Sequence, residues 1–157
     1  MNAKETFHIF PIGHVRRTDS GIHLDILEPY RPGLKQLEHF SHVIVLWWAD
    51  RVDDPESRHT MQTYPPYASD KLTGVFATRA EYRPNPIALT TCKILDVDEE
   101  KGVVQVAQID AYDGTRVLDL KGYFPVCDRV QGAHIPDWLE GWGDWMPDEG
   151  LGLWEEE

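Results

Sequence analysis

The chain has 157 residues, 41% of them hydrophobic and 27% charged, which suits one folded domain with or without a tail. Its 27 acids against 15 bases give a net charge of −12, a balance that argues against nucleic acid or an anionic membrane as a default partner. No apolar run approaches the roughly 20 residues of a membrane-spanning helix, the first ten residues lack a secretory pattern, and Cys92 and Cys127 sit outside any C-x-x-C spacing. A cytoplasmic protein with neither a cysteine zinc site nor a disulfide framework is therefore expected.

In chain order, residues 7–17 and 21–27 read as two strands around the turn Thr18-Asp19-Ser20-Gly21. In the second, Ile22, Leu24 and Ile26 alternate with His23 and Asp25. Residues 29–38 hold Pro32-Gly33 and then a short helical turn with Leu34 and Leu37. The run Val43-Ile44-Val45-Leu46-Trp47-Trp48 predicts a central strand covered on both faces. Residues 50–69 carry Pro55, Pro65 and Pro66 and read as a long loop, of the functional or mobile kind. Further strands are predicted over 72–78, 87–97, 103–109 and 116–120. Asp98-Glu99-Glu100-Lys101-Gly102 is a solvated hairpin rather than a metal loop. Short, evenly spaced strands predict a mainly β fold, a single-sheet β-barrel of antiparallel strands with short helical turns.

The acidity is concentrated. Residues 137–157 hold eight acids and no base, leaving 15 bases against 19 acids, or −4, in residues 1–136. The same stretch carries Trp138, Trp142, Trp145 and Trp154. Disordered acidic tails are poor in aromatics, so a barrel domain over 1–136 and a Trp-rich tail over 137–157 that packs on the domain or a partner are expected. Packing over a barrel face and a lid over a ligand site both remain open.

Three clusters carry candidate chemistry. Arg79 stands four residues before Arg83-Pro84-Asn85-Pro86, where two prolines stiffen the chain beside two arginines. The pattern suits an anion pocket, since a guanidinium binds carboxylate or phosphate as a planar fork, and it suits a braced surface loop equally well. Asp110, Asp113 and Asp119 lie within ten residues, with Asp113-Gly114 as a turn; such carboxylates grip ribose hydroxyls, balance a cation or act as a base. His39 and His42 lack a third ligand at metal spacing, so His42 reads as a hydrogen-bonded residue at a strand start. The chain holds no G-x-G-x-x-G, no Walker loop, no G-x-S-x-G and no H-E-x-x-H.

Taken in order, Ile12-Gly13 with Val15-Arg16, Phe40-Ser-His42, Gly74-Val-Phe-Ala-Thr-Arg79, Arg83-Pro-Asn-Pro-Ile87, Asp110 with Asp113-Gly-Thr115, and Val117-Leu-Asp-Leu-Lys121 with Tyr123 and Pro125 resemble the TrmO family, also called YaeB-like, TsaA-like or VirR. The resemblance runs from about residue 7 to 128. It implies an S-adenosylmethionine-dependent methyltransferase on a β-barrel, working as a homodimer, with N-methylation of threonylcarbamoyladenosine in tRNA as the best-known activity. It places cofactor contacts on Asp50, Arg51, Arg79, Arg83, Asn85, Leu89, Ala107, Gln108, Ile109 and Asp110, and leaves Asp113, Asp119, Lys121 and Tyr123 as catalytic candidates at the acceptor end. No metal is implied.

The chain departs from the family pattern at informative places. Thr18-Asp-Ser-Gly21 stands where tRNA-modifying members carry Gln-Pro-Gly. Gly114-Thr115-Arg116 replaces Gly-Thr-Pro, and Lys121-Gly122-Tyr123 replaces Lys-Pro-Tyr. A tRNA acceptor, a small-molecule acceptor and cofactor binding without turnover stay open at this level.

Overall fold

The structure, a computed structural model, describes residues 5–152. Trp154 and the Glu155-Glu156-Glu157 end of the predicted tail lie outside the described residues.

Among the described residues eight strands form: β1 (Gly13–Thr18), β2 (Gly21–Ile26), β3 (His42–Trp48), β4 (Gln62–Thr63), β5 (Thr73–Gly74), β6 (Ile87–Asp98), β7 (Val103–Val106) and β8 (Arg116–Gly122). Six close into an antiparallel barrel in the order β1-β2-β7-β6-β3-β8, and β4 with β5 make a separate two-stranded ribbon. The expected barrel of short antiparallel strands is what the chain forms. Closure leaves the six barrel strands without a free edge.

The interior follows strand parity. Val43, Val45 and Trp47 of β3 point inward and are buried, while Ile44, Leu46 and Trp48 stay half-buried on the outside. The expectation that this strand is covered on both faces is thus corrected: one face is core, the other a partly open apolar surface. Val15, Leu24, Cys92, Val104, Val106 and Val117 complete the core, and the Trp47 indole N–H donates to Thr90 Oγ1 at 3.1 Å inside it. Leu34 and Leu37, from the 3-10 turns Glu28–Leu34 and Leu37–His39, join the same cluster.

Other expectations shift at their ends. The first strand starts only at Gly13, and Phe7, Ile9 and Phe10 are exposed. The predicted strand 72–78 shrinks to β5 and then turns into a 3-10 segment, Val75–Ala77, so Arg79 follows a turn rather than a strand. β7 stops at Val106, and Asp110 lies on the loop beyond it. Within 50–69, Asp54 caps a short helix, α1 (Pro55–His59), its side chain accepting from Ser57 N–H at 2.9 Å. In the expected Asp113-Gly114 turn, Gly114 takes a positive φ of 80°.

Candidate functional site

The strand registers define one barrel mouth, where β1 and β3 end and β6 and β8 begin. The loops carrying Asp50, Arg51, Glu81, Asn85 and Asp110 all attach there.

Arg17, near the end of β1, organises the far side of this mouth. Its guanidinium donates to the Ala111 carbonyl at 3.0 and 2.8 Å and to the Ile109 carbonyl, and its main-chain N–H donates to Asp113 Oδ1 at 2.8 Å. With Ile109 and Ala111 buried on either side, Asp110 is held at a defined place. Among the described residues its carboxylate accepts no hydrogen bond, and burial raises its pKa, with Arg17 opposing.

Glu81 faces the same field. Burial first, and then the charge of Asp110, raise its pKa; Asp50 adds to this and Arg51 counters it. Glu81 likewise accepts no hydrogen bond among the described residues. Arg51 lies over the Tyr112 ring, 3.5 Å from its centroid. Asp50 is ion-paired to Arg116 at 2.7 Å. The neighbours Asp50 and Arg51 are therefore brought into one electrostatic cluster with Asp110, which is distant from them in sequence.

The Arg83-Pro84-Asn85-Pro86 loop is braced from two sides. Arg83 donates to the carbonyls of Val75, Thr78 and Ala80 at 3.0, 3.3 and 3.0 Å, so its guanidinium holds the preceding turn. Arg58, on α1, donates to the Pro84 carbonyl at 2.8 Å, to Asn85 Oδ1 at 3.2 Å and to Asp53 at 3.1 Å. Arg79 is exposed and has no hydrogen-bond or ion-pair partner among the described residues.

On the outer barrel surface, Leu46 has Leu89 of β6 and Asp119 of β8 as its cross-strand partners. Cross-strand partners share a face, so Leu89, 43% exposed, and Asp119 flank the same half-open surface. Lys121 lies one step further along and pairs with Asp119 at 2.9 Å. The hydrogen bond to Asp119 raises the lysine pKa, which keeps it an ammonium. Ala107 N–H donates to the Lys93 carbonyl, and buried Gln108 donates to the Thr91 carbonyl at 3.1 Å.

The four catalytic candidates are not gathered at one point. Asp119 and Lys121 are adjacent, whereas Asp113 and Tyr123 lie beyond opposite ends of β8, a seven-residue strand spanning about 20 Å. Tyr123 sits edge-on to the His42 ring at 6.3 Å. His42 opens β3 and hydrogen-bonds Ser41 at 2.8 Å, as expected of it.

Glu81, Arg17, Arg58 and Tyr112 were not singled out as site residues from sequence. Glu81 stands between Arg79 and Arg83, so its position inside a motif was the available signal. Arg58 precedes the loop it braces by 26 residues, and nothing local marks it.

A closed antiparallel barrel with a charged mouth, lacking any dinucleotide-type glycine loop, defines a class of small barrel proteins distinct from the dinucleotide-binding folds. Residues 4–129 match the family described as the tRNA-methyltransferase O N-terminal domain, and the chain belongs to that family. It is 39% identical over 119 residues to a protein of Archaeoglobus fulgidus named "Probable S-adenosyl-L-methionine-binding protein", covering 76% of this chain and 30% of that one. A second protein of that organism, named "S-adenosyl-L-methionine-binding protein", is 37% identical over 115 residues, covering 73% and 78%. The crystal structure of TrmO from Pseudomonas aeruginosa superposes with a TM-score of 0.65 at 28% identity, covering 83% of this chain and 61% of that one. The chain thus spans under a third of the first relative and about three fifths of the solved structure.

Proposed function

We propose that the protein is an S-adenosylmethionine-dependent methyltransferase that N-methylates a threonylcarbamoyladenosine nucleoside in tRNA, acting as a cytoplasmic homodimer. The observation that carries the cofactor reading is the pair Glu81 and Asp110: two half-buried carboxylates without a hydrogen-bond donor among the described residues. Unpaired buried negative charge is unfavourable, and a cationic ligand relieves it. Arg79, two residues from Glu81 and without a partner among the described residues, supplies the opposite charge. This donor set fits an amino-acid zwitterion attached to a sulfonium, with Leu89 and Leu46 as an apolar shelf for an adenine ring. The exposed Ile87, Leu89 and Leu95 of β6 suit a contact between two copies.

When bound, the cofactor supplies a methyl group activated by positively charged sulfur. The chain's own contribution is alignment. Glu81 and Asp110 hold the ammonium end, Arg79 the carboxylate end, and Arg58 keeps Asn85 and its loop in place. Asp119 receives the proton from the acceptor nitrogen, and Lys121, held as an ammonium by its hydrogen bond to that carboxylate, keeps Asp119 oriented.

A small-molecule acceptor is the second reading. It is favoured by the tail, which comes down against Gln108, two residues from Asp110. Incubation with methyl-labelled S-adenosylmethionine and either modified tRNA or a metabolite extract separates the two. Label in tRNA is the expected result, and label in small solutes selects the second reading. Binding without transfer to either overturns the enzymatic reading.

A further inference from the structure

His42 and Lys93 are direct register partners on β3 and β6, so their side chains leave the barrel surface side by side. Asp148, from the acidic tail, sits between them. Its Oδ2 is 2.6 Å from Lys93 Nζ and its Oδ1 is 3.7 Å from His42 Nε2. A four-residue turn delivers it: Gly150 N–H donates to the Pro147 carbonyl at 3.0 Å. Gly150 has φ of 84°, and a Cβ there would stand 2.9 Å from Gln108 Oε1. Glycine is what allows the turn to lie against Gln108.

Two aromatic contacts hold the rest of the segment. The Trp142 ring meets Tyr67 edge-on at 5.1 Å, and the Arg129 guanidinium lies 4.7 Å from the Trp145 ring centroid. These are surface contacts, Trp142 being 48% and Trp145 70% exposed, and exposed ion pairs are individually weak. A strap fastened by a few such contacts opens without unfolding the barrel. The Lys93 ammonium that pairs with the Asp148 carboxylate, with the His42 ring beside it, is the kind of group that also holds a phosphate oxygen.

We propose that residues 142–150 form an autoinhibitory strap whose Asp148 carboxylate fills an anion site made by Lys93 and His42, a site that takes an acceptor phosphate once the strap lifts. The source of that phosphate rests on the tRNA reading above; the anion site and its occupation by the tail do not. The site neighbours the proposed cofactor loop through Gln108, which sits beneath the strap two residues from Asp110, and the Tyr123 ring packs against His42. The charge of the strap has the required sign, since residues 142–150 carry Asp144, Asp148 and Glu149 and no base.

The probe is inorganic pyrophosphate titrated into the full chain, followed by the His42 ring proton shifts. The variants are Asp148→Asn, Gly150→Ala and the double variant Lys93→Met with Asp148→Asn. Asp148→Asn and Gly150→Ala should bind about two- to fivefold more tightly than the unsubstituted chain, the size expected for removing one exposed competitor. The double variant should lose the gain. Equal affinity in the unsubstituted chain and Asp148→Asn, no binding to Asp148→Asn, or binding that survives the double substitution overturns the proposal. Melting curves keep a folding defect from being read as a binding effect. In a second arm, total tRNA is bound at the same ionic strength. Affinity for tRNA in the same rank order identifies the phosphate as that of nucleic acid. If pyrophosphate follows the order and tRNA binds no variant, the strap stands and the tRNA reading falls.

Discussion

Arg17 grips the carbonyl of Ala111 with two N–H groups, at 3.0 Å from Nε and 2.8 Å from Nη2, across a sequence separation of 94 residues. The same guanidinium reaches the Ile109 carbonyl, so the backbone on both sides of Asp110 is tied to the end of β1. Hydrogen bonds from a charged donor to buried carbonyls contribute about 2 kcal/mol. Arg17→Met should therefore lower stability by about that amount in urea unfolding and weaken S-adenosylmethionine binding at least tenfold. Unchanged stability would remove Arg17 as the organiser of the mouth.

Arg79 and Arg83 should respond oppositely. Arg79 has no partner among the described residues, so Arg79→Ala should shift the melting temperature by no more than ~1 °C while costing most of the cofactor affinity by calorimetry. Arg83 holds three carbonyls, and Arg83→Ala should cost about 2 kcal/mol of stability. Full cofactor affinity in Arg79→Ala would end its assignment to the carboxylate.

Glu81 and Asp110 bear on stability with a definite sign. Both pKa values are raised in the folded state, so the native chain holds protons that the unfolded chain has released. Stability falls as pH rises from the ordinary carboxylate range through the raised values, and the deficit persists at neutral pH. Glu81→Gln and Asp110→Asn should each stabilise the fold at pH 7, by about 0.5 kcal/mol after allowance for solvent screening, while weakening cofactor binding. Loss of stability at pH 7 in both variants would contradict the strained-carboxylate account.

Asp25 works in the reverse sense. Its hydrogen bond from Arg16, at 2.9 Å from Nη2, is the main reason its pKa is lowered, with burial opposing. Its contribution is complete above the ordinary aspartate pKa of about 4 and is lost as pH falls through the lowered folded value. Asp25→Asn should cost up to about 1 kcal/mol at pH 7, a difference that closes on acidification. A pH-independent difference in chemical denaturation would argue against the pair.

Strand existence was readable along the chain, and facing only where polar and apolar residues alternate, because there a residue's face shows in its parity with immediate neighbours. Ile22, Leu24 and Ile26 announce β2, and the run from Val43 to Trp48 announces β3. Strand ends were less readable. Leu72 and Phe76 look like strand residues, but the ribbon is two residues long on each side, and Arg83 pulls the carbonyls of Val75, Thr78 and Ala80 into a turn. A long-range donor overrode local propensity there.

The arginines show the same divide. Arg16, Arg17, Arg58, Arg79 and Arg83 carry identical guanidinium groups, and a basic face could be drawn through all of them. In the fold, Arg16 goes to Asp25, Arg17 to the loop around Asp110, Arg58 to Pro84 and Asn85, and Arg83 to main-chain carbonyls. Arg79 alone among these five has no partner among the described residues.

By itself, the sequence determined a single-sheet antiparallel barrel, the alternation of β2, its Gly114 turn and the loops that carry charge. Those properties depend on neighbours within a few residues. Tertiary structure decided which charges meet. Barrel closure placed Glu81 in the field of Asp110, set Leu46 between Leu89 and Asp119, held Asp113 and Tyr123 a strand length apart, and laid Asp148 on Lys93. Each of these depends on register and on chain returning from far away, and a Coulomb or hydrogen-bond partner is chosen by distance in space, which no local periodicity encodes.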